Sequence, residues 1–330
     1  MPLDPQARDF LDRLAAANLK PIESIPVSEA RAQMDLSTHF LGPLPHVARA
    51  EDRHFEGPGG TIRVRLLRPS PRDGADSSAG RHPAPALVYF HGGGWVLGNL
   101  TSHEHICRAI ANEAGAVVIA VDYRLAPEHR FPAAAEDALA ATTWAITRAE
   151  EFGLDARRIA VGGDSAGGNL AAAACLMARD AGGPRPAFQV LVYPIADCGM
   201  DTGSYREFAD GYFLTAAEMA WYWDQYVPDR GRRPDPLASP CRAQDLRGLP
   251  PALVITAGCD VLRDEGELYA RRLQDSGVPT TLSRYEGTIH GFVRRFPFFD
   301  QGRAAIKEIG RAVRDAIGEG GPGPSTPSVL

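Results

Sequence analysis

Gly163-Asp164-Ser165-Ala166-Gly167 lies between Arg158-Ile159-Ala160-Val161, a short β-type run, and an Ala-rich stretch with a helical pattern. That stretch places Leu170, Ala174 and Met177 on one face. A serine between two glycines, at a turn from strand to helix, allows few architectures. The turn is so tight that the positions two before and two after the serine can hold almost no side chain, and Gly163 and Gly167 meet that demand. Such a turn forces the serine into a strained backbone conformation and exposes its hydroxyl at the C-terminal edge of the strand. A plain Gly-rich turn would account for the pentapeptide but not for its flanks.

The rest of the chain repeats the same rhythm. Apolar runs of the buried-strand kind occupy 86–90, 116–121, 158–162, 188–193 and 252–257, with helical patterns at 102–114, 133–149 and 166–181. Continuous apolar strands alternating with helices predict an α/β fold, a mostly parallel sheet flanked by helices. Residues 52–56 and 61–68 read as an antiparallel pair turning at Gly57-Pro58-Gly59-Gly60. Residues 279–285 read as a further strand and 300–317 as a helix. Residues 6–20 form an amphipathic helix stopped by Pro21, followed by a weakly patterned stretch to about 50. Residues 71–85 read as a loose loop and 318–330 as disordered. Between Tyr193 and Gly248 no strand is visible; an aromatic-rich helix at 215–226 takes its place, with most of Trp221, Tyr222, Trp223 and Tyr226 expected in core packing. The expected division is therefore 1–50 as an N-terminal helical cap segment, 51–195 and 248–317 as the core, 196–247 as a cap insertion, and 318–330 as a tail. An insertion at the C-terminal edge of such a sheet sits where α/β ligand sites form.

Composition removes other classes. The net charge is −6 and the basic residues, nearly all Arg, are scattered, which gives no nucleic-acid footprint. Cys107, Cys175, Cys198, Cys241 and Cys259 form no CxxC and no metal-like spacing with His, as expected of free thiols in a reducing compartment. No apolar run approaches about 18 residues and no basic segment precedes an apolar one at the N-terminus. The expectation is a cytoplasmic chain without membrane insertion, metal or cofactor.

A serine nucleophile needs a base, the base an orienting acid, and the developing oxyanion needs donors. Of the nine histidines only His290 follows Ser165 in the chain. Asp260 is the first carboxylate after the run 252–257; Asp264 and Glu265 compete but fall where a helix begins, and suit charge roles there. Donors come from the Ala166 N–H, at the start of the helix after the serine, and from His91-Gly92-Gly93-Gly94-Trp95, which directly follows the run 86–90.

These motifs resemble those of the bacterial hormone-sensitive-lipase-like esterases, a branch of the α/β-hydrolases. The resemblance rests on His91 to Trp95, on Asp122-Tyr123-Arg124-Leu125-Ala126-Pro127-Glu128-His129-Arg130-Phe131-Pro132-Ala133, on Gly163 to Gly168, on Tyr193-Pro194 and on His290-Gly291-Phe292, in order over roughly 50–317. It implies Ser165, Asp260 and His290 as the triad and Gly93, Gly94 and Ala166 as oxyanion donors. A pocket is expected beside them, lined by Trp95, Asp164, Tyr193, Phe213, Leu214 and Ile289. Cys259 and Val261 depart from the family's aromatic residue and proline around the acid. Arg124 and Glu128 are expected to brace the sheet edge, and His91 to anchor the glycine loop. The implied activity is that of a serine carboxylesterase on short-to-medium acyl esters, with a small-molecule ester as its partner. Amidase, deacetylase or lactonase chemistry uses the same groups, and a homodimer is left open. A non-catalytic receptor on this fold would have no need of the histidine and the aspartate.

Overall fold

A computed structural model of the protein describes residues 2–71 and 83–318. The order of its strands explains where the chemistry sits. β1 (Arg49–Gly57) and β2 (Gly60–Arg68) form the antiparallel hairpin at one edge. Then follow β4 (Val117–Asp122), β3 (Ala84–Phe90), β5 (Leu154–Asp164), β6 (Gln189–Val192), β7 (Ala252–Cys259) and β8 (Thr280–Ile289). β2 meets β4 antiparallel, and every later pairing is parallel. Every residue of β7 is buried, as a strand covered on both faces requires.

Register brings the strand ends into line. Phe90 pairs with Gly163, Asp164 with Val192, and Cys259 with Ile289. The residues that follow these positions, among them Gly92, Ser165, Asp260 and His290, therefore emerge along one edge of the sheet. That is the edge at which open α/β sheets bind ligands.

The flanking helices are α3 (Glu104–Ala114), α4 (Ala133–Thr147), α5 (Ala166–Asp180), α8 (Arg263–Asp275) and α9 (Asp300–Ile317), with α3 packed on α9 and α4 on α5. Arg124 braces its loop through the buried Asp137 of α4. Among the described residues no helix is long and apolar enough to cross a membrane.

The structure departs from the sequence expectation in several places. α1 spans Pro5–Ala17 and ends at Asn18 in the left-handed conformation, three positions before Pro21. The weakly patterned stretch after it contains a second helix, α2 (Val27–Ser37), of which only Ala30 is buried. With one residue in the core, no apolar stripe marks it in the sequence. Glu128 does not brace the sheet edge: it holds Arg31 of α2 through two hydrogen bonds, at 2.8 and 2.7 Å. Strand β3 starts at Ala84, inside the expected loop 71–85; the remainder of that loop falls at 72–82, and the expected tail at 319–330, outside the described residues. The insertion after β6 carries α6 (Gly203–Glu207) and α7 (Ala216–Tyr226), the latter started by a reciprocal Thr215–Glu218 capping box.

Candidate active site

The serine turn is as tight as its glycines imply. Ser165 has φ 57° and ψ −119°, a region L-residues avoid, and its N–H is held by the Val192 carbonyl at 2.8 Å. A Cβ on Gly163 would lie 2.4 Å from the Phe90 carbonyl oxygen, and one on Gly167 only 1.9 Å from it. The glycines thus let the turn press against the end of β3, where the glycine-rich loop begins.

Above the turn, Ser165 Oγ lies 3.0 Å from His290 Nε2, and His290 Nδ1 lies 2.7 Å from Asp260 Oδ2. A carboxylate only accepts, so Nδ1 carries the proton and Nε2 faces the serine hydroxyl as an acceptor. Asp260 Oδ1 accepts from Leu262 N at 3.0 Å, which fixes the carboxylate. The Tyr193 ring packs 4.5 Å from the imidazole. Asp264 and Glu265 do other work. Asp264 accepts from Ser204 N at 2.7 Å. Glu265 is 1% exposed and accepts from Ala196 N and Asp197 N at 2.8 and 3.2 Å, fastening the chain as it enters the insertion. It therefore has no exposed role at the start of α8, and burial pushes its carboxyl well above the ordinary range.

The glycine loop is oriented through its carbonyls. His91 Nδ1 donates to Gly92 O at 2.9 Å, and Val96 N and Leu97 N donate to Gly93 O at 3.1 and 2.8 Å. In a trans peptide the N–H points opposite to the carbonyl. The Gly93 and Gly94 amides are therefore turned away from these anchors, and among the described residues neither they nor the Ala166 amide has a hydrogen-bond partner. Burial, with His103 close by, brings His91 down to about 3, so its ring is a neutral anchor. Gly94 has φ +59°, and a Cβ there would meet the Tyr222 ring at 2.0 Å. Gly94→Ala should accordingly displace Tyr222 or tilt the loop and lower kcat by about 10²–10³-fold, the effect of losing one oxyanion donor. Steady-state kinetics on the folded variant, measured well below its lowered thermal midpoint, would show it.

Asp164 borders the cavity but turns its carboxylate into the protein. It accepts from Tyr89 OH at 2.9 Å and Gly92 N at 3.1 Å, with His103 Nε2 at 3.5 Å. Burial alone would raise it, but His103 and these donors outweigh burial and hold it at about 2. Its role is to tie the serine turn to the glycine loop. Three other expected pocket residues also move. Trp95 is fully buried, stacks on Tyr226 at 4.3 Å and donates to Asn169 Oδ1 at 3.3 Å. Tyr193 and Ile289 are buried behind the site, where large side chains fill the space beneath the loops. Phe213 and Leu214 do line the cavity. Trp95, Tyr193 and Phe213 share positive φ with Ser165, so strained backbone concentrates around this edge.

The cavity holds about 350 Å³ and contains Ser165, His290, Gly93 and Gly94. Leu14, Leu19 and Met34 wall it from the N-terminal segment, and Phe213, Met219 and Tyr222 from the insertion. Sequence pattern did not single out Tyr222 within its aromatic cluster, nor His103, Glu218, Arg294 or Arg295. Glu218 is raised by burial to about 7 despite accepting from Thr215 N at 2.9 Å. A carboxyl raised in the fold adds stability that is full below its unfolded value and is lost as pH rises through its folded one. Between about pH 5 and 8 the wild type should therefore lose about 1–3 kcal/mol relative to Glu218→Gln, which keeps the acceptor without the charge. Parallel thermal melts across that range check this.

Comparison with known proteins agrees with the fold and places the chain in a family. A family model described as alpha/beta hydrolase fold matches residues 87–294. The chain is 45% identical over 280 residues to the carboxylic ester hydrolase LipN of Mycobacterium tuberculosis, covering 83% of this chain and 72% of that one. It is 38% identical over 327 residues to an ethyl acetate hydrolase of Pseudomonas putida, covering 96% of this chain and 100% of that one. A hyperthermophilic esterase from the archaeon Pyrobaculum calidifontis superposes with a TM-score of 0.89 at 45% identity, over 96% of this chain and 99% of that one. With this sheet, these strand ends and these likenesses, the chain belongs to the hormone-sensitive-lipase-like esterases of the α/β-hydrolase family and is a carboxylic ester hydrolase.

Proposed function

We propose that Ser165, His290 and Asp260 carry the hydrolysis, on short-to-medium acyl esters. The observation that carries this reading is the unbroken chain from Ser165 Oγ through His290 to Asp260, facing unpartnered amides in one cavity. His290 Nε2 takes the hydroxyl proton as Oγ attacks the ester carbonyl. The carbonyl oxygen becomes an anion and is received by the amides of Gly93, Gly94 and Ala166, each donor worth about 3–4 kcal/mol in comparable sites. Asp260 holds the imidazole tautomer and stabilises the imidazolium. His290 then gives its proton to the departing alcohol, leaving Ser165 acylated, and water repeats the sequence to release the acid.

The N-terminal segment and the insertion together act as a cap over this cavity. Phe10 of α1 meets Phe213 of the insertion edge to face at 5.9 Å. A second apolar chamber of about 1020 Å³ lies between α1, α2 and Phe298, and Leu14, Leu19, Gln33, Ser37 and Arg295 line both chambers. The smaller chamber takes the acyl group beside Ser165 and limits its length, and the larger one receives the alcohol side of the ester. A p-nitrophenyl ester series tests this: butyrate should exceed palmitate in kcat/KM by roughly tenfold or more. Faster turnover of emulsified long-chain triglyceride, with a jump in rate at the oil surface, would contradict it.

A further inference from the structure

The cavity around Ser165 holds more cationic groups than its own carboxylates neutralise. Arg294 and Arg295 both line it, four and five residues after His290. Among the described residues neither has a carboxylate within ion-pairing distance. Arg294 is 4% exposed and donates only to neutral oxygens, Ser102 O at 3.1 Å and Ser37 Oγ at 3.4 Å. Arg295 is half-buried, with its guanidinium 4.2 Å from the Phe213 ring centre and 5.5 Å from that of Phe10. Its one hydrogen bond, to Gly291 O at 3.5 Å, is marginal. Aromatic faces hold the planar group in place and leave its N–H edge unspent.

Counter-charge on the cavity wall comes from two carboxyls, Asp164 and Glu218, with Asp35 acting on Arg294 and Glu23 on Glu218 from behind the wall. Asp164 is ionised and offsets Arg294, which acts on it through space. Glu218 is held near 7 by burial and is only partly charged at neutral pH. Lys20 adds a further cation to the wall. Arg295 is pushed down from its usual value by burial and by Arg294, the mark of a cation without a partner. A guanidinium nevertheless stays protonated through neutral pH. Burying an unpaired charge is costly, and a ligand that supplies the missing charge recovers that cost on binding.

We propose that this site selects esters that carry a carboxylate, and that Arg295, at the junction of the two chambers and backed by Arg294, recognises that charge. The inference rests on Ser165 as nucleophile and adds the class of substrate. The planar fork of a guanidinium matches a carboxylate with two parallel hydrogen bonds. A singly charged group suits the site better than a phosphate dianion, which Asp164 and Glu218 would repel. The carboxylate belongs to either the acyl or the alcohol side of the ester, and substrate pairs separate the two. Monomethyl succinate against its neutral isostere methyl levulinate tests the acyl side. Carboxymethyl butyrate against acetonyl butyrate tests the alcohol side.

The quantity to read is the ratio of kcat/KM for the anionic ester to that for its isostere, in which general damage to the enzyme cancels. In at least one pair the wild-type ratio should be one or greater. Arg295→Met should lower it by about 10–100-fold, the effect of losing a charge-assisted contact, while Arg295→Lys keeps most of it. Added salt should lower the wild-type ratio. Ratios well below one in both pairs, or ratios that Arg295→Met leaves unchanged, overturn the proposal. Should Arg295→Met not fold, a wild-type ratio indifferent to salt, or one that Arg295→Gln leaves unchanged, overturns it equally. Turnover of the neutral isosteres alone leaves the esterase mechanism standing and removes only the selectivity; failure on all of these esters sinks the mechanism and the proposal together.

Discussion

Ester hydrolysis by the Ser165→Ala variant should fall about 10⁶-fold in kcat, as when the nucleophile of other triads is removed. Among the described residues no second hydroxyl bonds the His290 ring: Nε2 faces Ser165 Oγ and Nδ1 is committed to Asp260. The fold should survive, because alanine removes one oxygen and the Ser165 N–H to Val192 O bond remains. Ser165→Gly should be equally inactive but about 1 kcal/mol more stable, since at φ 57° glycine relieves strain that alanine retains. A fluorophosphonate should label the wild type at Ser165 alone. Labelling elsewhere, or real turnover by the alanine variant, would remove this serine from the mechanism.

Asp260→Asn should cost about 10⁴-fold in kcat, because an amide at this point favours the wrong imidazole tautomer. Asp260 Oδ2 is the acceptor that fixes the Nδ1 proton, and among the described residues no other carboxylate bonds the ring. Asp264→Asn should leave kcat within a few-fold, since its oxygens serve Ser204 N and Arg263. Glu265→Ala should act on stability instead, by about 1–3 kcal/mol, by leaving the Ala196 and Asp197 amides without their acceptor. The two readouts, turnover and thermal midpoint, should thus separate cleanly across three carboxylates within six residues. A dead Asp264 variant beside an active Asp260 variant would show the wrong acid had been chosen.

What was legible in the sequence is what local pattern encodes. Runs of buried strand announce themselves by continuous apolar residues, and the serine turn by glycines whose absent side chains the Phe90 carbonyl requires. Chain order alone then led to His290 and Asp260. The pocket was far less legible. Trp95 and Tyr222 look alike as aromatic residues near a motif, yet one is buried under the glycine loop and the other covers Gly94. That difference is decided by packing between segments distant in the chain. α2 escaped because a helix lying on the surface with one buried residue has no apolar stripe to detect. The weight of Glu265 escaped because burial of a carboxyl is a property of what surrounds it.

The chamber walls have one further consequence. The groups proposed to do the chemistry stand on loops of a continuous eight-stranded sheet, whereas Leu14 and Met34, which enclose them, come from α1 and α2, whose only buried residues are Ala7 and Ala30. Peripheral elements with little buried area open at lower free energy than a sheet core. On warming, the enclosure should loosen while the strands beneath remain paired, and water should enter a chamber whose amides depend on its exclusion. The upper temperature limit for turnover is then set by helices that supply no reacting atom. Cross-linking α1 to the insertion should extend the working range of the enzyme without altering its melting as a whole.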